Sequence, residues 1–273
     1  MSVFQALILG IVQGATEFVP ISSSGHLVLV PWLLEWPNPG VAFDAMLHLG
    51  TLLAVVGFFW RDLAQLMVGG ILSIKERSLG GEPRRRMAWL IIVGTIPAMV
   101  LGVAFEDFFE GLFGAPMWVG VLLLVTGALL MISEKWSRRS LEVHEMTWVD
   151  GLLVGLGQAL AIAPGISRSG ATISSGLWRG LQREAAARYS FLLAVPIIFG
   201  AGLVKLKDLS EAPLGFSSPL PLLVGFLAAS ISGFLSIKFL LAYLRRRSLY
   251  PFAAYCWGVG AVAVLVALLS LRQ

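Results

Sequence analysis

The sequence predicts an all-α polytopic membrane protein: six spanning helices plus two re-entrant helical hairpins, in an inverted-topology repeat. Three observations carry this. Of the 273 residues, 57% are hydrophobic and only 13% are charged, about half of the ~25% charged residues of a soluble domain. Several apolar runs are about 17–20 residues long, enough to cross a hydrocarbon core of roughly 30 Å. Two other apolar stretches, about 3–34 and 148–178, are broken near their middles by Pro, Gly and Ser.

Taken in order, the chain opens with the first broken stretch, interrupted at VPISSSGH, and runs into spans at about 43–60, 87–105 and 117–133. The second broken stretch, interrupted at APGISRSGAT, precedes spans at about 189–206, 220–241 and 251–271. Irregular backbone at membrane depth is tolerated only where protein or a water-filled cavity satisfies its polar groups, so each interruption reads as the tip of a re-entrant hairpin or a discontinuous helix. If both hairpins return to the side they entered from, loops 61–86, 134–147, 179–188 and 242–250 share one side and hold fifteen of the twenty Lys and Arg residues. Loops 35–42 and 106–116 hold none, and the second carries Glu106, Asp107 and Glu110. The positive-inside rule then places the basic loops in the cytoplasm and both termini outside.

The halves echo one another. An ungapped shift of 145 residues aligns Gly10 with Gly155, Gln13 with Gln158, Ile21 with Ile166, Ser22 with Ser167, Ser24 with Ser169 and Gly25 with Gly170. LLAV recurs at 52–55 and 192–195, and DL at 62–63 and 208–209. The expected organisation is one membrane domain over 1–273, with repeat 1 at about 1–140 and repeat 2 at about 145–273. Each repeat has an odd number of spans, so the second is inverted, and such repeats place their site where the broken helices converge.

Net charge of +4, with the basic residues in short inter-span clusters, is the pattern of a membrane protein and no nucleic-acid signature. The single Cys256 lies in an apolar run and excludes an intramolecular disulfide. The N-terminal MSVFQALILG has neither a basic n-region nor a small-residue cleavage site and is expected to stay in the mature chain. Trp32, Trp36, Trp60, Trp148 and Trp257 suit interfacial belts, and the Arg84–Arg86 run reads as a topology signal touching lipid headgroups.

The candidate chemistry sits at the tips. The first holds Gln13, Glu17, Ser22, Ser23, Ser24 and His26, and the second Gln158, Ser167, Arg168, Ser169 and Thr172. Gln13 and Glu17, spaced i, i+4, share a helix face. Glu17 and Arg168 are the charged groups inside the broken stretches, apart from Glu35 and Asp150 at the edges, and a charge at that depth points to function. A guanidinium fork suits phosphate oxygens, and helix N-termini after Gly and Ser offer backbone N–H groups to an anion. Glu17 with Gln13 can hold a hard divalent cation, Mg²⁺ or Ca²⁺. A Ser or a water can attack phosphorus with Glu17 or His26 handling the proton. The expected substrate is a phosphorylated molecule approaching from, or within, the membrane. Against this stand structural readings: Glu17–Arg168 as an ion pair joining the tips, the serines as satisfiers of broken-helix backbone, and His26 as a hydrogen-bonded strut. His48, in a span, takes a supporting place, and His144 lies in a charged loop.

At these residues the chain resembles the undecaprenyl-pyrophosphate phosphatase family of bacterial membrane enzymes, the bacitracin-resistance type. GIVQGATEFVPISSSGHL at 10–27 is similar to that family's first motif, APGISRSGATIS at 163–174 to its second, and FLLAVP at 191–196 is also typical. The resemblance covers essentially the whole chain. It implies release of inorganic phosphate from the pyrophosphate of a C55 isoprenoid carrier, recycling it for cell-wall synthesis. It also implies a divalent cation and a location in the bacterial cytoplasmic (inner) membrane, with the site on the periplasmic or outer side. By position it implies roles for Gln13, Glu17, Ser23, His26, Ser167, Arg168 and Thr172, with catalysis by Glu17, Ser23, His26 and Arg168. Substrate binding falls to Ser22, Ser167, Arg168, Ser169 and Thr172, and metal binding to Glu17 and Gln13. The partners expected are a polyprenyl pyrophosphate lipid and the membrane, with a homodimer as a further option and no nucleic acid. Many members have Glu where this chain has Gln13, which puts the essential carboxylate at Glu17. A different class of protein, a secondary transporter or lipid-carrier flippase, would share the inverted-repeat architecture.

Overall fold

The computed structural model describes residues 1–79, 81–113, 115–211 and 219–270. Among these there is no strand, only a single parallel bridge between Leu141 and Leu181. Six helices are long and apolar enough to cross a membrane: α3 (Val41–Phe58), α5 (Pro83–Ala104), α7 (Pro116–Trp136), α10 (Arg183–Glu211), α11 (Leu220–Leu244) and α12 (Tyr250–Ser270). They coincide with the six expected spans. Proline opens α5 and α7, where its missing N–H has no partner to lose.

The two broken stretches fold as pairs of short helices, α1 (Val3–Phe18) with α2 (Ser23–Leu33) and α8 (Trp148–Leu160) with α9 (Arg168–Trp178). Their caps correspond under the same 145-residue offset. Ser2 and Gln5 form a capping box on α1, and Thr147 and Asp150 form one on α8. Ser22 caps α2 by accepting from Gly25 N, and Ser167 caps α9 by accepting from Gly170 N. The helix partners also exchange between halves: α1 packs on α11, and α8 on α5. The second contact is backbone on backbone, since a Cβ at Gly155 would stand 2.5 Å from Gly94 O.

Two expected loops contain helices. The segment expected as loop 61–86 carries α4 (Trp60–Lys75), whose apolar face, including Met67, Val68, Ile71 and Ile74, is exposed. The segment 106–116 carries α6 (Glu106–Phe113), and the side chains of Glu106, Asp107 and Glu110 lie outside the described residues, as do those at 208–209. Both segments carry charged residues between long apolar spans, which reads as loop, although their apolar residues recur at helical spacing.

Several residues of the basic loops form ion pairs with nearby carboxylates. Arg85 is buried and donates to Glu76 Oε2 at 2.6 Å and to Ser78 O at 3.3 Å, while Arg84 is exposed and Arg86 half-buried. Glu134, 1% exposed, accepts from Arg183 and from Leu249 N and pairs with Arg139, tying α7 to α10 and to the start of α12. Arg179 pairs with Asp150. Trp257, 38% exposed, donates to Leu124 O on α7 at 3.1 Å. A continuous core including Phe18, Phe59, Tyr189 and Phe191 fills the centre of the helices. Phe18 meets Phe191 edge-on at 5.3 Å, which anchors the end of α1 where Glu17 projects.

Candidate functional site

The loops at 19–22 and 161–167 bring the two tips together. Ser22 has φ 70°, a left-handed backbone that non-glycine residues rarely adopt, and it turns the chain sharply into α2. In the second tip Gly165 takes that part with φ 103°. A Cβ there would stand 2.5 Å from Val119 O. Ser169 Oγ reaches Val19 O at 3.3 Å, joining the tips directly.

Glu17 is the hub. Its Oε1 accepts from Arg168 Nη2 at 2.8 Å, and its Oε2 accepts from Gln13 Nε2 at 3.0 Å and from Ser23 Oγ at 2.6 Å. His48 Nε2 stands 4.0 Å from the same Oε2. Glu17 is 7% exposed, so the charge is held by paired donors where an unpaired carboxylate would be prohibitive. The other arm of Arg168 donates from Nη1 to Ser190 O at 3.1 Å. Two contacts from one planar guanidinium fix its plane and leave further N–H groups for a ligand.

A cavity of about 240 Å³ lies against this hub. Its polar wall is Glu17, Ser23, Ser24, His48, Gln158 and Arg168, and its other wall is apolar, from Ala98 and Ile162 to Ile197 and Ile198. Ser23, Ser24 and Arg168 open α2 and α9, so both helix N-termini face the cavity. The spans contribute only their ends remote from the basic loops: Ala45 and His48 early in α3, Ala98 late in α5, and Ile197 to Gly202 in the second half of α10. A larger cavity, about 450 Å³, lies among Arg84, Glu142, His144 and Arg188 and contains no tip residue.

The expected site residues therefore divide. Glu17, Ser23 and Arg168 meet on the cavity wall, with Gln13 bonded behind Glu17. Ser22 and Ser167 are buried caps, and Ser169 bonds Val19 O and the Ser167 hydroxyl. Thr172 is buried and bonds Arg168 O at 2.8 Å and Ser190 Oγ at 2.6 Å, steadying the backbone under Arg168. His26 is buried off the cavity wall, with Nδ1 at 2.7 Å from Ser22 O and Nε2 at 2.8 Å from the Tyr255 hydroxyl. His48, Ser24 and Gln158, ranked lower from sequence, are on the wall. Ser190 and Tyr255 were not singled out at all. Ser190 acts through its carbonyl, which no sequence pattern marks, and Tyr255 sits in an ordinary apolar span.

A divalent cation can be tested against these donors. Gln13 Oε1 is buried and has no protein partner, and it belongs to the side chain that already touches Glu17. Among the described residues no three His, Cys, Asp or Glu side chains cluster as metal ligands. One carboxylate and one amide oxygen suit Mg²⁺, which commonly takes one or two carboxylates and completes its shell with water and substrate phosphates.

The fold and site define a class: a multi-pass helical membrane protein with a cavity between two broken helix pairs, lined by Glu17, Ser23 and Arg168. The chain belongs to the family of the bacitracin resistance protein BacA, which matches residues 6–262. It is 46% identical over 278 aligned positions to the undecaprenyl-diphosphatase of Moorella thermoacetica, with 100% of each chain covered. It is 47% identical to the undecaprenyl-diphosphatase of Methanosphaera stadtmanae, with 97% of this chain and 98% of that one covered. The undecaprenyl-diphosphatase of Halothermothrix orenii is 46% identical, with coverage of 98% and 99%.

Proposed function

We propose that the protein hydrolyses undecaprenyl pyrophosphate to undecaprenyl phosphate and inorganic phosphate, returning the lipid carrier to cell-wall synthesis. The observation that carries this reading is the convergence of Glu17, Arg168 and Ser23 on one cavity whose opposite wall is apolar. The polar wall suits a pyrophosphate and the apolar wall suits the first isoprene units.

Arg168 binds phosphate oxygens with its free N–H groups, and the N-termini of α2 and α9 add their dipoles. Ser23 directs its proton at Glu17, so its lone pairs face the cavity. The attacking oxygen, the Ser23 hydroxyl or a water beside it, forms a bond to the terminal phosphorus and gives its proton to Glu17. The anhydride P–O bond breaks, and the lipid phosphate leaves with the electron pair. Attack by water gives inorganic phosphate at once. Attack by Ser23 gives a phosphoserine whose Ser–O–P bond a water, deprotonated by Glu17, then cleaves, returning the proton to the Ser23 oxygen. Glu17 and Gln13 would hold a divalent cation, which would supply charge neutralisation on the phosphates. In this reading His26, with both ring nitrogens engaged, serves as a brace and not in the attack.

The same reading takes α1–α2 and α8–α9 as re-entrant pairs in two inverted halves. The helices have 16, 11, 13 and 11 residues. At 1.5 Å per residue, none exceeds about 24 Å, short of a roughly 30 Å hydrocarbon core. With the basic loops cytoplasmic, the cavity lies in the outer half of the cytoplasmic membrane and faces the periplasmic or outer side. The test is phosphate release from polyprenyl pyrophosphate by the purified protein, with and without a chelator. Absence of release, with the lipid bound intact, would support a carrier in place of an enzyme.

A further inference from the structure

The two tips are braced differently. In the second, Thr126 of α7 bonds the loop backbone directly: its hydroxyl donates to Gly165 O at 2.9 Å and accepts from Ser167 N at 3.1 Å. There glycine occupies the left-handed position. In the first tip a serine, Ser22, is left-handed, a strained conformation that persists only where its surroundings enforce it. The 145-residue offset places Ala171 where the first tip has His26.

The His26 ring adds to the restraint that the Gly25 N–H places on Ser22 Oγ. A carbonyl oxygen can only accept, so His26 Nδ1 donates to Ser22 O at 2.7 Å. In the neutral ring Nε2 is then the acceptor, and the Tyr255 hydroxyl donates to it at 2.8 Å. The two rings are nearly parallel, at 13° and 5.7 Å between centroids. Cys256, the next residue of α12, faces Pro20 O at 3.7 Å. Thus α12 braces the first tip as α7 braces the second, and α7 and α12 pack on each other.

We propose that Tyr255 is a positioning residue for the reaction: through His26 it holds Ser22 in its left-handed conformation and so keeps Ser23 on Glu17. This rests on the phosphatase reading. Loss of the hydroxyl frees the His26 tautomer, relaxes Ser22 and lets Ser23 drift from the carboxylate. Substrate grip stays with Arg168, which Tyr255 does not touch. Displacements of about 1 Å at a reacting group reduce rates by up to about 100-fold.

The test is Tyr255→Phe, which keeps the ring and removes the hydroxyl, in purified full-length protein acting on polyprenyl pyrophosphate. The expected result is a kcat about tenfold lower, with KM within about twofold and an unchanged melting temperature. In protein labelled with ring-¹⁵N histidine, with the signal assigned through His144→Gln and His26→Gln variants, the His26 Nε2 resonance should move. An unchanged kcat, an unmoved His26 resonance, or a loss of activity matched by an equal loss of folded protein would each overturn the proposal. Should wild-type protein release no phosphate, the phosphatase reading fails instead, and the resonance still reports whether Tyr255 holds His26.

Discussion

Arg168 Nη2 lies 2.8 Å from Glu17 Oε1, joining side chains 151 positions apart. It is the link that makes one site from two tips. A buried ion pair is an uncertain source of stability, because desolvation of both charges offsets their attraction. Here the guanidinium also bonds Ser190 O and lines the cavity, so its geometry serves recognition as well as pairing.

Arg168→Lys is expected to leave the protein folded and nearly inactive. An ammonium can keep the charge near Glu17 but cannot span Ser190 O and Glu17 while presenting further donors. Loss of one preorganised donor removes about 2 kcal/mol or more of transition-state stabilisation, roughly a 30-fold fall in kcat/KM. Turnover near that of wild type, measured as phosphate release, would reduce Arg168 to a charge partner.

Much of this was legible in the sequence. The six spans follow from run length, and the two tips from Pro, Gly and Ser breaking apolar stretches. The Glu17–Arg168 meeting follows from the expense of charge at depth. The rest depends on packing. His26 and His48 look alike in sequence, yet a turn of α2 points His26 at Tyr255 while α3 points His48 at the cavity. Ser190 contributes a carbonyl, and every residue has one. Arg85 looks like its neighbours Arg84 and Arg86 but falls on the buried face of α5. The helix α4 was read as part of a loop because Arg61, Asp62 and Lys75 mark its ends as charged, although its apolar residues Met67, Val68, Ile71 and Ile74 recur at helical spacing.

Gly155→Ala is expected to lower stability with little direct effect on the chemistry. The added Cβ would meet Gly94 O at 2.5 Å and Gly94 Cα at 2.7 Å, and backbone cannot step aside as a side chain can. Overpacking of this kind costs about 1–3 kcal/mol. The readout is thermal melting in detergent. Gly111→Ala, where a Cβ meets nothing within 4 Å, should melt as wild type does.

A cysteine at Gly111 should react with an impermeant thiol reagent added outside intact cells, and one at Arg138 should not. Both positions are exposed in the structure. Arg138 follows α7 and borders a basic loop, whereas Gly111 lies in α6 at the opposite end of that span. The native Cys256 is buried, which keeps the background low. The reverse labelling would invert the orientation and move the cavity to the cytoplasmic half.

Glu17→Gln should abolish phosphate release while the folded protein still binds a pyrophosphate analogue, and Gln13→Glu should be tolerated. The first substitution keeps size and an acceptor oxygen for Arg168, but it removes the charge that Ser23, Gln13 and Arg168 all address. With it go the proton acceptor for the attacking oxygen and the anionic ligand for a hard cation. Leaving Arg168 without a counter-charge carries a stability cost, so melting must be followed beside turnover. Analogue binding should survive, because the guanidinium and the N-termini of α2 and α9 are untouched. Gln13→Glu places a second carboxylate one turn from the first, where Gln13 Oε1 already lacks a protein partner. A cation neutralises the pair, so the variant should work at a lower divalent-ion concentration than wild type and lose more activity to a chelator. Substantial turnover by Glu17→Gln would refute the mechanism. Inactivity of Gln13→Glu at saturating Mg²⁺ would show that residue 13 does not share a cation with Glu17 and instead orients it through the neutral Nε2 donor.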